Sequence, residues 1–258
     1  MKGLLALAIS AALVLGACRD GSSGAGGDEE VELTVSGASS LTAAFADIGA
    51  AFEDANPGVT VTFNFGPSDG LATQINEGAP VDVFASASST WMDAVQDGGP
   101  GVTGRTDFAR NKLAIIVPAD NPAGIESLED LTEDGVQLVL AAEGVPAGDY
   151  AREIFAKAGI SDAAIANVVS NEEDAKVVIT KVLAGDADAG IGYVTDVRPE
   201  PADQISLVTI PADVNVIATY PIAVVTGSKE ADLAQRFVDY VLGDGQQTLA
   251  DYGFLPVS

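Results

Sequence analysis

The sequence contains no histidine and one cysteine, Cys18. Without imidazole there is no Ser-His-Asp relay, and a lone thiol makes neither a His/Cys zinc site nor an internal disulfide. Most hydrolase and metalloenzyme chemistry is thereby excluded, and an enzyme is left only Asp, Glu, Lys or Tyr to work with. Cations are also scarce: 12 Lys and Arg stand against 38 Asp and Glu, a formal charge of −26. A surface of that sign repels phosphate backbones and anionic lipid, so nucleic acid is not expected as a partner. The acid is spread along the chain, as on a solvated surface. The 258 residues suffice for one or two domains with a real core, and no internal repeat of fixed period is present.

The apolar run from Gly3 to Gly16 has 14 residues, too short to span a bilayer comfortably. Preceded by Met1-Lys2, it fits the hydrophobic region of a secretory signal. It ends in Leu15-Gly16-Ala17-Cys18, which resembles the bacterial lipobox. That resemblance implies a signal peptide over 1–17 and lipidation of Cys18, with a membrane lipid anchor and an extracytoplasmic location at the cell surface or in the periplasm. Residues 18–30, rich in Gly and Ser, read as a flexible tether.

From Val31 onward, strand and helix patterns alternate. Val31, Leu33 and Val35 mark one face of a strand. Leu41, Phe45, Ile48 and Phe52 follow at helical spacing, halted by Asn56-Pro57-Gly58. A strand over 59–65, a short helix over 69–77 and a strand over 81–85 complete a β-α-β-α-β series. A second series is expected from strands at 113–117 and 136–141, helices at 148–158 and 171–183, and strands at 189–193 and 205–210. The chain then returns through a strand at 220–225 to a helix at 230–242. The architecture expected is α/β with two lobes, 31–111 plus 221–258 and 112–220. Each has a mixed, mostly parallel sheet with flanking helices, and a two-crossover hinge joins them near 111–113 and 217–221. A single larger doubly wound domain is the alternative.

Four junctions carry hydroxyl or turn residues where helices begin: Ser36 to Ser40, Gly66 to Gly70, Gly144 to Gly148, and Ser170 to Glu173 ahead of Asp174-Ala175. Singly, such residues are ordinary N-caps. Together, in an open α/β fold, they lie where strand carboxyl ends meet helix N-termini, a place suited to a small anion. None of the four contains a basic residue, so an anion there would be held by neutral donors. Two other patterns are weak. Gly37-Ala38-Ser39-Ser40-Leu41 lacks the final glycine of a nucleophile elbow, and Gly190-Ile191-Gly192 is half of a dinucleotide fingerprint.

Several segments taken together resemble the periplasmic molybdate-binding proteins of ABC importers, type II solute-binding proteins. They are Ala38-Ser39-Ser40-Leu41-Thr42, Gly78 to Ala87, Trp91-Met92, Val145 to Ala151, Glu173-Asp174, Gly190 to Tyr193 and Tyr252-Gly253-Phe254. The resemblance implies a monomer that binds molybdate or tungstate between two lobes and delivers it to an ABC permease. It implies no catalysis, no cofactor and no bare metal cation. Carried over by motif, the ligand-binding residues are Ser40 and Ser68 through N–H and Oγ, Ala147 and Ala175 through N–H, and Tyr193 through its phenol. Two departures stand out. Ser68 sits between Pro67, which has no N–H, and Asp69, a carboxylate expected to face solvent. Ala175 stands where the family often has valine. Sulfate, phosphate or an organic anion is the alternative cargo, and an acid/base enzyme using Asp69 and Tyr193 is the alternative class.

Overall fold

The computed structural model describes residues 31–197 and 203–257. Cys18, the signal segment and the tether lie outside the described residues. Among the described residues no helix is long and apolar enough to cross a membrane.

The first strand, β1 (Val31–Ala38), leads through a short 3-10 turn (Ser39–Leu41) into α1 (Thr42–Ala55). Phe45, Ile48 and Phe52 are buried, as their spacing requires. Each such side chain contributes about 1.5–3 kcal/mol by leaving water. β2 (Val59–Gly66), α2 (Ser68–Asn76) and β3 (Val83–Ala85) follow. β2 and β3 both run parallel to β1. An additional helix, α3 (Ser89–Gly98), is capped by the Ser88 side chain, which accepts from Trp91 N–H.

Next comes β4 (Val102–Pro118), 17 residues long where the apolar run alone suggested a strand over 113–117. Its polar first part, Val102 to Lys112, is a strand because it pairs antiparallel with β9 (Ile217–Val225), a partner far away in the sequence. Its apolar last part pairs with β7 (Ala189–Tyr193) and β8 (Ile205–Thr209). The remaining elements are β5 (Leu138–Ala141), α4 (Pro146–Ala158), α5 (Ser161–Ala166), β6 (Val168–Glu172), α6 (Ala175–Ala184), α7 (Ala231–Leu242) and α8 (Gly245–Asp251). The hydrogen-bonded order is β2-β1-β3-β9-β4-β7-β5-β6, with β8 also on β4. Two sets of strands therefore share β4 and form one continuous ladder rather than two separate sheets. Parallel pairs (β1 with β2 and β3, β5 with β6 and β7) are matched by antiparallel ones, all involving β4 or β9. Alternation of strand and helix alone overstated the parallel share, because β4 and β9 cross between the sets without a helix.

One boundary differs in a way that affects the site. The polar stretch Ser170-Asn171-Glu172 was expected to open a helix, yet it is strand, paired with Val139, Leu140 and Ala141 of β5. The helix starts at Ala175 instead, with Asp174 as its N-cap. Tertiary pairing overrides local cap chemistry here.

Candidate functional site

Four helix starts converge on one cleft, lined by Ala38, Ser39, Ser40, Gly66, Pro67, Ser68, Ala87, Val145, Pro146, Ala147, Ala175 and Tyr193. Ser40, Ser68, Ala147, Ala175 and Tyr193, separated by up to 153 positions in the sequence, are thus brought together. No lining residue carries a charge. Asp69 is not among them, and neither is Lys176.

The donors arise from how the helices begin. The first N–H groups of a helix have no intrahelical acceptor, and the aligned peptide dipoles make that end positive. No side chain caps the 3-10 turn at Ser39, α2 at Ser68 or α4 at Pro146, so their first N–H groups stay available. At α6 the Asp174 carboxylate accepts from Lys176 N–H at 2.7 Å, leaving Ala175 N–H as the available donor. α4 begins with Pro146, whose missing N–H costs nothing at that position. It can lie tight against β5 because Gly148 has no side chain: a Cβ there would stand 2.3 Å from the Ala141 carbonyl oxygen.

The side-chain donors have defined partners. Ser68 Oγ accepts from Ala87 N–H at 3.0 Å, which leaves its proton to donate elsewhere. Ser40 Oγ lies 2.9 Å from the Tyr220 hydroxyl. Tyr193 is 2 % exposed, and its hydroxyl has no hydrogen-bond partner. Burial holds its phenol protonated well above the usual range, and the charge of Tyr220 nearby adds to this, although the two hydroxyls do not reach hydrogen-bond geometry. A buried phenol without a partner costs about 1–3 kcal/mol. Among the buried side chains lining the cleft, its hydroxyl is the one left without a partner.

Two bonds join the two sides beside the cleft. Trp91 Nε1 donates to the Gly144 carbonyl at 2.8 Å, and the Tyr150 hydroxyl donates to the Ala87 carbonyl at 3.3 Å. Burial, with Glu153 and Asp149 adding, pushes the Tyr150 phenol up to about 12, so it remains a donor. The sequence marked Trp91 and Tyr150 within motifs but assigned them no task. Their pairing with backbone atoms more than 50 positions away has no local signature.

Lys176 follows just beyond the fourth junction and does not line the cleft. With α6 starting at Ala175, Lys176 is its second residue. Burial lowers its pKa, partly offset by Asp196 and Asp174. Asp196 itself closes the turn after β7. Its Oδ2 accepts from Tyr193 N–H at 3.2 Å, and its N–H donates to the Tyr193 carbonyl at 3.1 Å. Although the residue keeps some exposed surface, Oδ1 has none and lacks a partner. Burial therefore lifts this carboxyl from 3.8 to about 7, with the Tyr193 N–H and Lys176 pulling it down and Asp174 pushing it up.

A raised carboxyl pKa means that the folded state holds a proton the unfolded chain has already released. The contribution to stability is complete at the acid end of the window between 3.8 and about 7, and is lost as pH rises through it. The slope is at most about 1.4 kcal/mol per pH unit. Asp196→Asn keeps an oxygen for Tyr193 N–H and removes the titration. In urea unfolding at pH 5 and pH 8 the variant should gain on the wild type at pH 8 and much less at pH 5. An equal difference at both values would refute the assignment.

The comparisons with known proteins give the family. Residues 33–255 match the profile of the family described as bacterial extracellular solute-binding protein. The chain belongs to that family. The molybdate-binding protein ModA of Mycobacterium tuberculosis is 39% identical over 223 residues, which is 86% of this chain and 84% of that one. Two solved structures share the fold. The periplasmic molybdate-binding protein of Azotobacter vinelandii has a TM-score of 0.78 at 20% identity, covering 88% of this chain and 100% of its own. The sulfate-binding protein SubI of Mycobacterium tuberculosis also reaches 0.78, at 19% identity and 88% of both chains. At that level the two structures share the fold alone with this chain. As a solute-binding protein of this family the chain is extracytoplasmic and is not an enzyme, so neither the Asp69 and Tyr193 acid/base reading nor the half fingerprint at Gly190 is retained.

Proposed function

We propose that this solute-binding protein captures the molybdate or tungstate dianion in the cleft and delivers it to an ABC permease. The observation that carries the reading is a buried Tyr193 hydroxyl without a partner, in a cleft of uncharged donors where four helix starts meet. In this reading Ser40 and Ser68 donate through N–H and Oγ, Ala147 and Ala175 through N–H, and Tyr193 through its phenol. Each hydrogen bond to a charged acceptor contributes about 1.5–3 kcal/mol, so six or seven support micromolar or tighter binding after ordering costs (about 8 kcal/mol).

Size supports a small ion. The cleft encloses a cavity of about 10 Å³, against about 300 Å³ or more for sites that take organic ligands. Charge supports a fully deprotonated one: where every group donates, an anion that keeps a proton leaves that proton without an acceptor. Residues 31–111 with 221–258, and 112–220, act as two lobes that close about β4 and β9, with Trp91 and Tyr150 bonding across when shut. We further propose a monomer tethered by lipid on Cys18.

Calorimetric titration of protein lacking residues 1–27 with molybdate, tungstate, sulfate and phosphate tests the reading. Submicromolar binding of the first two, with phosphate rejected, is expected. Submicromolar sulfate binding without molybdate binding would reverse the cargo assignment.

A further inference from the structure

Behind the cleft a buried polar chain runs up to Ser40 on its lining. Asn111 on β4, Tyr220 on β9, Thr195 after β7 and Ser40 are all buried. Asn111 Nδ2 lies 2.7 Å from Thr195 Oγ1 and 3.4 Å from the Tyr220 hydroxyl, which in turn lies 2.9 Å from Ser40 Oγ. The orientation of the Asn111 amide is fixed by its other end. Lys112 N–H can only donate, and it meets Asn111 Oδ1 at 3.0 Å. The atom facing Tyr220 and Thr195 is therefore the NH2, which can only donate.

We infer that Asn111 and Tyr220 are positioning residues that set the direction of the Ser40 proton: Asn111 Nδ2–H donates to the Tyr220 oxygen, Tyr220 O–H donates to Ser40 Oγ, and Ser40 O–H is left to donate into the cleft. The opposite direction, with Ser40 donating to Tyr220, would leave the Tyr220 proton buried with no acceptor. Burial holds the Tyr220 phenol protonated far above the ordinary range, so the proton is there to be given. Ser68 reaches the same state by a different route, its oxygen already taken by Ala87 N–H. Ser40 and Ser68 thus each have one lone pair engaged and the proton free, so both face the cleft as donors rather than acceptors. This deepens the oxyanion reading and rests on it.

The relay can be reversed. Asn111→Asp replaces the NH2 with an acceptor, so Tyr220 donates to it, Ser40 donates to Tyr220, and an oxygen lone pair turns to the cleft. Molybdate affinity should fall about tenfold or more, and the preference for molybdate over phosphate, which keeps a proton at neutral pH, should fall further. Tyr220→Phe leaves Ser40 free to rotate and should lose part of the same preference, and it serves if the buried aspartate prevents folding. Because an added charge also repels any anion, each change is repeated in a Ser40→Ala background, where its effect on the molybdate-to-phosphate ratio should largely vanish. Wild-type protein that binds neither molybdate nor tungstate overturns the cargo reading beneath the relay. Wild-type binding with an unchanged ratio in folded Asn111→Asp and Tyr220→Phe, or a ratio change that persists without Ser40, overturns the relay alone.

Discussion

Tyr193→Phe is expected to raise the stability of the unliganded protein while weakening molybdate binding about tenfold to a hundredfold. The two effects have one origin. In the shut cleft the Tyr193 hydroxyl is enclosed without a protein acceptor, and removing such a group recovers part of about 1–3 kcal/mol whenever the lobes close without a solute. With a dianion present the same hydroxyl becomes a charge-assisted donor, whose loss costs a similar amount in the opposite direction. The ring itself should stay in place, since it packs edge-on against Tyr220 with centroids 5.9 Å apart. Thermal unfolding with and without molybdate, beside calorimetry, reads both quantities. Lower stability of the unliganded variant, or unchanged affinity, would take Tyr193 out of the site.

Ala175→Pro should lower molybdate affinity by tenfold or more with little loss of fold stability. Position 175 is the first of α6, where proline is favoured because its N–H has no partner within the helix. Asp174 before it is extended, with φ −151 and ψ 147, the conformation a following proline demands. The substitution deletes one cleft donor, and its ring occupies part of the space an anion would fill. Few backbone donors can be removed so cleanly by mutation. A folded variant with wild-type affinity would show that the start of α6 does not face the solute.

The sequence marked much of this molecule because its main signals are local. Phe45, Ile48 and Phe52 announce α1 by spacing, and Asn56-Pro57-Gly58 ends it. The helix starts that form the cleft carry small residues at recognisable turns, while Ser40, Ser68, Ala147, Ala175 and Tyr193 are named through the resemblance to the molybdate-binding family. What escaped depends on distant partners. Residues 102–112 form a strand only because β9 runs alongside, and Ser170 to Glu172 are drawn from helix to strand by β5. Asn111, Tyr220 and Asp196 look unremarkable along the chain, since their importance is a matter of who faces them. Cap chemistry is written within four residues; a buried hydrogen-bond chain between β4 and β9 is not.

The sharing of β4 also bears on how the chain is made. β3 borders β9, pairing Val83 with Val224, and β4 opens its ladder with Val102 opposite Val225. The first set of strands therefore cannot be finished until nearly the whole polypeptide has left the ribosome, and contacts this far apart in sequence form slowly. For a protein destined to leave the cytoplasm, such a delay is useful. A chain whose first sheet is still open stays looser for longer, which suits a protein that must cross a membrane before it works.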